Sequence, residues 1–320
     1  MSCEKKTCKT SIGGQAVLEG VMMRGPEKIA VCVRKSNGEI VSDVEEIKNA
    51  KSKKTINKIP IVRGCVNFFD SMIKGVTTLM KSADMYDLEE EDPTYKPSKA
   101  DAVVEKIFKN KDAVIYFSVV VALIFSVGLF FIIPGLIFNL LDNFIKNRIV
   151  LNLVEGLVRI IIFLSYLALV SVNKDIQRVF EYHGAEHKTI FTYEAGEELT
   201  VENVKKHKRF HPRCGTSFLV FVMLISILVY SVIPREFAGF EINGFSMIII
   251  KLLLLPFISG ISYEIIKWAG RSDSKIVQFL SKPGMMLQHL TTREPDDSQI
   301  EVAIASIQAV IPENREDAIW

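Results

Sequence analysis

Four long apolar runs, Ala113–Ile133, Ile149–Val172, Thr216–Pro234 and Ser246–Ile266, constrain this chain more than any other feature. Each approaches the roughly 20 residues that an α-helix needs to cross a hydrocarbon core. The 320 residues are 49% hydrophobic and 24% charged, so a chain this apolar must keep the two kinds of residue apart. The expected fold class is an α-helical polytopic membrane protein with about four transmembrane helices and a small α+β N-terminal cytoplasmic domain. The expected boundaries are a cytoplasmic N-terminal region over 1–100, a membrane domain over 101–266 and a cytoplasmic tail over 267–320. Met1–Thr10 has no apolar core, so no cleavable signal peptide is expected there.

Charges beside the runs set an expected orientation, because short loops rich in Lys and Arg stay in the cytoplasm. Lys106, Lys109 and Lys111 precede the first run, and the connection 173–215 carries a dense set that includes Lys174, Arg178, Lys205 and Arg213. The connections Asp142–Arg148 and Arg235–Phe245 carry few. A multi-pass protein of the cell membrane with both termini cytoplasmic is expected. Cys3, Cys8, Cys32, Cys65 and Cys214 are odd in number and mostly on the side expected to be reducing, so no disulfide is expected. Net charge +2 argues against a nucleic-acid partner. The lipid bilayer and an unknown protein or peptide substrate are the expected partners, and an oligomer is compatible with the sequence.

In the N-terminal region, Ile29–Arg34 and Glu39–Val44 flank Ser36-Asn37-Gly38, which predicts a β-hairpin. Val66, Phe69, Ile73, Val76 and Met80 share one helical face, which could pack on this small unit or lie on a membrane surface. Asp87–Asp92, followed by Pro93 and Pro97, reads as a solvated linker. Ile12–Pro26 is rich in glycine, but no Lys-Ser/Thr pair follows to make it a phosphate cradle. The tripeptide Gly13-Gly14-Gln15, found also in translation release factors, is too short to carry a function over.

The strongest chemistry follows the second run. His183-Gly184-Ala185-Glu186-His187 places two imidazoles four residues apart, on one face of a helix and within reach of one metal ion. Glu186 beside them is the candidate general base, as in the H-x-x-E-H arrangement of inverzincin peptidases. His211-Pro212-Arg213-Cys214 adds an imidazole and a thiolate at knuckle-like spacing. Four of the five histidines lie in this one connection. The bland alternative is a basic surface or lipid-headgroup loop. His183, His187, His211, Cys214 and Glu264 are the candidate metal ligands, and zinc or another divalent metal is the expected cofactor. Glu264 is included for its depth at the inner end of the fourth run, with a pair to Lys267 as the alternative. Within the runs, Glu155 and Arg159 are expected to pair at i,i+4, Lys251 to snorkel outward, and Pro134 and Pro256 to end or kink their helices. In the tail, Ser298–Val310 is expected to be a helix with a Ser298/Glu301 capping box and a buried face of Ile300, Ala303, Ile304 and Ile307.

Several blocks resemble the YqhQ-like bacterial membrane family. They are Gly-Gly-Gln-Ala-Val-Leu-Glu-Gly-Val-Met-Met-Arg at 13–24, His-Gly-Ala-Glu-His-Lys at 183–188, His-Pro-Arg-Cys-Gly-Thr-Ser at 211–217, Gly-Ile-Ser-Tyr-Glu at 260–264 and Leu-Thr-Thr-Arg-Glu-Pro-Asp at 290–296. The resemblance spans essentially the whole chain. It implies a family of unknown function described as metal-dependent enzymes, which supports a site without supplying a reaction.

Two readings follow. In one, the chain is a membrane-embedded metal-dependent hydrolase, peptidase-like, acting at the cytoplasmic face. His183, His187 and either His211 or Glu264 hold zinc, Glu186 polarises its water, and Cys214 is a further ligand or a switch. In the other, it is a non-catalytic scaffold or assembly factor whose His183, His187, His211 and Cys214 close a structural site. A transporter is a weaker third reading, since few charges line so small a bundle.

Overall fold

A computed structural model describes residues 9–47, 59–86, 111–234, 236–237, 240–241, 244–271 and 274–318. The chain is mostly helical, with a four-stranded antiparallel sheet at its N-terminal end. It divides into two compact units, one of Met1–Leu88, Leu167–Ile225 and Leu255–Trp320, the other of Glu89–Tyr166 and Ser226–Leu254. The expected linker Asp87–Asp92 lies outside the described residues, as do Cys3 and Cys8, while Cys32, Cys65 and Cys214 carry free thiols.

In the first unit the sheet is a meander of β1 (Gly13–Val17), β2 (Gly20–Arg24), β3 (Lys28–Arg34) and β4 (Ile40–Glu46), in that spatial order. The expected hairpin is β3–β4, and Gly38 at φ +86° supplies the left-handed residue its turn needs. Strand alternation sends Val21, Met23, Ala30 and Cys32 to one face. There they meet Tyr182 and Ala185 of α5 (Lys174–Ala195) and Ile300, Ala303 and Ile307 of α10 (Asp297–Gln308). The tail helix therefore buries the face its sequence predicts. Its cap differs: Asp296 accepts from the Gln299 backbone N–H and Gln299 answers it. The carboxylate two residues earlier is the charged acceptor, and Ser298 donates to it instead of capping.

The other sheet face carries α1 (Val62–Tyr86), which turns its small residues Gly64, Thr78 and Ser82 inward. Its apolar stripe faces outward, with Phe69 and Ile73 at 50% and 65% exposure, so the stripe does not pack on the small unit. Gly64 and Gly260 let α1 cross α8 (Gly244–Arg271) closely, since a Cβ on Gly64 would lie 2.8 Å from Gly260 Cα. The Arg63 guanidinium then forks onto the Glu264 carboxylate, with Nε at 2.6 Å from Oε1.

Among the described residues, three helices are long and apolar enough to cross a membrane: Phe117–Asp142, Ile149–Val170 and Phe245–Trp268. The run expected as a further span forms α7 (Gly215–Ser231), an apolar helix of 17 residues, near the lower length limit. Pro134 does not end its helix. Lys111–Val127 (α2) passes without a break through a π-helical stretch, Gly128–Ile132, into α3 (Ile133–Asp142), and Pro134 lies just past that stretch. Pro256 is also carried inside a continuous helix. In the second unit, Glu155 and Arg159 of α4 (Arg148–Val170) pair as expected, Arg159 Nη2 donating to Glu155 Oε1 at 2.9 Å. Lys251 does not snorkel. It is 7% exposed and donates to the same Glu155 carboxylate, because a shared counter-charge within reach outweighs a path to water.

Candidate metal centre

Helix α5 starts at an Asn173 cap and runs without interruption through the H-x-x-E-H segment to Gly196. The i,i+4 rule therefore operates, and the His183 and His187 rings lie 4.4 Å apart. Gly184 sits on the helix flank under the segment that follows α9 (Lys275–Thr291). A Cβ there would strike the Arg293 carbonyl, so the glycine lets Thr291-Thr292-Arg293 lie directly on α5. Arg293 N–H donates to Phe180 O at 2.8 Å, and Lys188 meets Glu294 at 2.7 Å, fixing the same contact.

That contact places the Thr291 carbonyl 2.8 Å from His183 Nδ1, while the Arg209 carbonyl lies 2.5 Å from His187 Nδ1. A carbonyl only accepts, so both rings carry a proton on Nδ1 and turn Nε2 inward. His183 Nε2 lies 3.2 Å from Cys214 Sγ. His187 Nε2 is buried with no hydrogen-bond partner among the described residues. One donor atom from each of His183, His187 and Cys214 falls within 4.8 Å of the others.

Cys214 reaches the group because Gln288 of α9 holds the preceding turn from both sides. It accepts from the His211 N–H at 2.7 Å and donates to the His211 carbonyl at 2.8 Å. The His211 ring itself points elsewhere. Its centroid is 5.5 Å from that of His187, its Nε2 faces Glu194 at 3.9 Å and Arg213 at 3.3 Å, and burial pushes its pKa down to about 4, so it is neutral. Burial opposes the charge on Glu194, but His211, Arg213 and the Thr10 N–H outweigh it and hold that carboxyl below its ordinary range. Of the proposed ligands, the structure thus groups His183, His187 and Cys214, sets His211 beside them, and commits Glu264 to Arg63. His207 pairs with Glu197.

Glu186 lies 3.9 Å from His183 Nε2 and is 4% exposed. Burial raises its pKa, against the pull of His183 and the Gly14 N–H that donates to it. Gly14 belongs to β1, and a Cβ there would approach Glu186 Cγ to 2.9 Å. The glycine-rich N-terminal segment is therefore part of the site, and its sequence signal was a paired glycine within a strand-like run. Gln288, Thr291 and Glu194 had no such signal.

A family model described as a protein of unknown function (DUF1385) matches residues 59–313. The chain belongs to this family. It is also similar to an uncharacterized protein, YqhQ, of Bacillus subtilis (strain 168), with 32% identity over 304 residues that cover 93% of this chain and 92% of that one. No solved structure matches the chain. The matched region includes α1, the whole H-x-x-E-H helix, the Cys214 turn and the Thr291–Asp296 segment.

Proposed function

We propose that this chain is a multi-pass cell-membrane protein whose cytoplasmic part is a metal-dependent hydrolase using zinc or another divalent ion. The observation that carries the metal reading is the pair of carbonyl-anchored imidazoles. With Nδ1 committed to backbone oxygen, each Nε2 is a preoriented lone pair beside Cys214 Sγ, the arrangement that supports metal-binding histidines elsewhere. A buried ring nitrogen without a partner costs about 1–3 kcal/mol, which a ligand at His187 Nε2 would relieve. Two imidazoles and a thiolate suit zinc and leave a fourth tetrahedral position for water. An ion so held supplies a polarised water and a Lewis acid.

The chain's own residues do the rest. Glu186 is the proton acceptor, and its raised pKa moves it toward the range where a base both takes and returns a proton. Gly14 N–H orients that carboxylate. Elemental analysis of the purified protein should find about one divalent metal per chain, and His187→Ala and Cys214→Ser should each fall to background. A metal-free parent whose ligand variants are as stable as it is would return the cluster to a polar helix contact.

Membrane residence is supported by the three long apolar helices and by how openly they show their side chains, Ile124, Leu169 and Leu253 being 67%, 73% and 74% exposed. The outward stripe of α1 suits a helix lying on the membrane surface. Reporter fusions at Trp320 should read cytoplasmic; an external reading would overturn the orientation.

The scaffold reading keeps one specific support: His211 is near enough to His187 to close a four-ligand site if it released Glu194.

A further inference from the structure

Beside the centre runs a cavity of about 810 Å3, lined by β1 from Gly13 to Ala16, by α1 and by α5, and ending at His211–Thr216. Strand β1 is an edge strand, with β2 on one side and no strand on the other among the described residues. Which of its groups face the cavity follows from the register. Gly25 N–H bonds Lys28 O, so the next paired positions along β2–β3 are Met23↔Ala30 and Val21↔Cys32, and Met23 and Val21 spend their hydrogen bonds on β3. Their partners across β1–β2, Gly14 and Ala16, therefore point N–H and C=O away from the sheet. Two bonds bear this out: the outward Gly14 N–H goes to Glu186, and the equivalent Leu18 N–H goes to Ser82 Oγ of α1 at 3.3 Å.

Between those two, the Ala16 N–H and C=O and the Gly14 C=O face the groove, two residues or about 6.6 Å apart along the strand. Gly13 leaves its flank open, with nothing within 4 Å of where a Cβ would be. Backbone donors and acceptors at strand spacing match another main chain. The cations lining the groove do not match an anionic headgroup, because each already has a carboxylate. Lys81 has Asp43 at 2.7 Å, Lys74 has Asp70 at 2.7 Å, Arg24 has Asp70 at 3.8 Å, and Arg213 has Glu194.

We propose that this groove takes an extended polypeptide, which adds to the sheet as a strand along the outer edge of β1 and is thereby laid against the His183/His187/Cys214 group. The pairing is strand addition, in which main-chain bonds supply affinity and the flanking walls supply selection. Glu186 ties the two features together, since one carboxylate touches the edge strand and stands beside His183. Only the last clause rests on the metal-hydrolase reading; the strand pairing does not.

The test uses the full chain in detergent or nanodiscs and a labelled pool of capped random decapeptides, read by fluorescence anisotropy, with metal content measured on the same samples. Proline is tolerated in an edge strand where its N–H would face away from the sheet, so Ala16→Pro removes one outward donor and fills its place while sparing the β1–β2 ladder. The parent should bind the pool saturably, Ala16→Pro should bind at least about tenfold more weakly at unchanged metal content, and Ala16→Ser should stay within about twofold. The same pool N-methylated at alternate residues should not bind. Should Ala16→Pro fold poorly, hydrogen exchange on the parent decides: the Ala16 amide should slow when the pool is added. Absence of binding, equal binding by the N-methylated pool, or an Ala16 amide indifferent to the pool would overturn the proposal. A metal-free parent that still binds the pool would sink the hydrolase reading alone, and a metal-loaded parent that ignores the pool would sink this one alone.

Discussion

Glu186→Gln is expected to leave metal content and thermal stability where they are and to lower hydrolytic turnover of the peptide pool by about 10²- to 10⁴-fold. The substitution is nearly isosteric, and the amide oxygen can still accept from Gly14 N–H. What disappears is the capacity to accept a proton 3.9 Å from His183 Nε2. Burial already disfavours the charge on this carboxyl, so a neutral amide removes a cost and should hold stability level or raise it slightly. The ligand variants behave differently. His187→Ala removes a buried ring that meets His183 edge-on and His211 at a tilt and opens a cavity, so it should lose metal and stability together. The two readings of the centre part at Glu186, because a structural site has no use for a base. Turnover by Glu186→Gln equal to that of the parent would remove the hydrolase reading, and loss of metal would make Glu186 a ligand.

How much of this was legible depends on how far apart in the chain the contacts lie. The β3–β4 hairpin and the buried stripe of α10 are set by local periodicity, which a sequence displays directly. His183 and His187 were legible for the same reason, one helix face. The sequence reaches the third member of the group by a different route. Knuckle spacing paired Cys214 with His211, whereas Gln288, far along the chain, turns that loop so that Cys214 meets His183 and His211 meets Glu194. Glu264 was placed by depth alone, which says nothing of direction, and Arg63 claims it. The outward face of α1 was equally illegible, because the same stripe satisfies a protein core and a membrane surface. For Gly14 and Gly184 the sequence names no neighbour, and the Glu186 side chain and the Arg293 carbonyl, from distant parts of the chain, take the space their missing side chains leave.

Glu155→Gln should destabilise the protein by about 3–5 kcal/mol, and Arg159→Leu by clearly less. The asymmetry follows from a shared counter-charge. One carboxylate, Glu155, accepts from both Arg159 and Lys251, and the three side chains are 7%, 8% and 7% exposed among helices whose surfaces are otherwise apolar. Neutralising Glu155 leaves two buried cations without the carboxylate they share, and mutual repulsion is added to the cost of burial. Removing Arg159 leaves Glu155 on Lys251, an intact ion pair, and forfeits the bond from Arg159 Nε to Phe130 O at 3.1 Å together with its place 5.2 Å from the Tyr230 ring. The sequence alone, pairing Glu155 only with Arg159, predicts a loss from either variant and gives no reason to rank them. Apolar replacement of all three groups should recover much of the stability, since a buried ion cluster and a well-packed apolar one of similar volume are often close in free energy. Thermal unfolding followed by size-exclusion recovery in detergent would measure the series. Equal losses from Glu155→Gln and Arg159→Leu would show that Lys251 does not share the carboxylate, and no loss from either would show that the cluster is not buried from water.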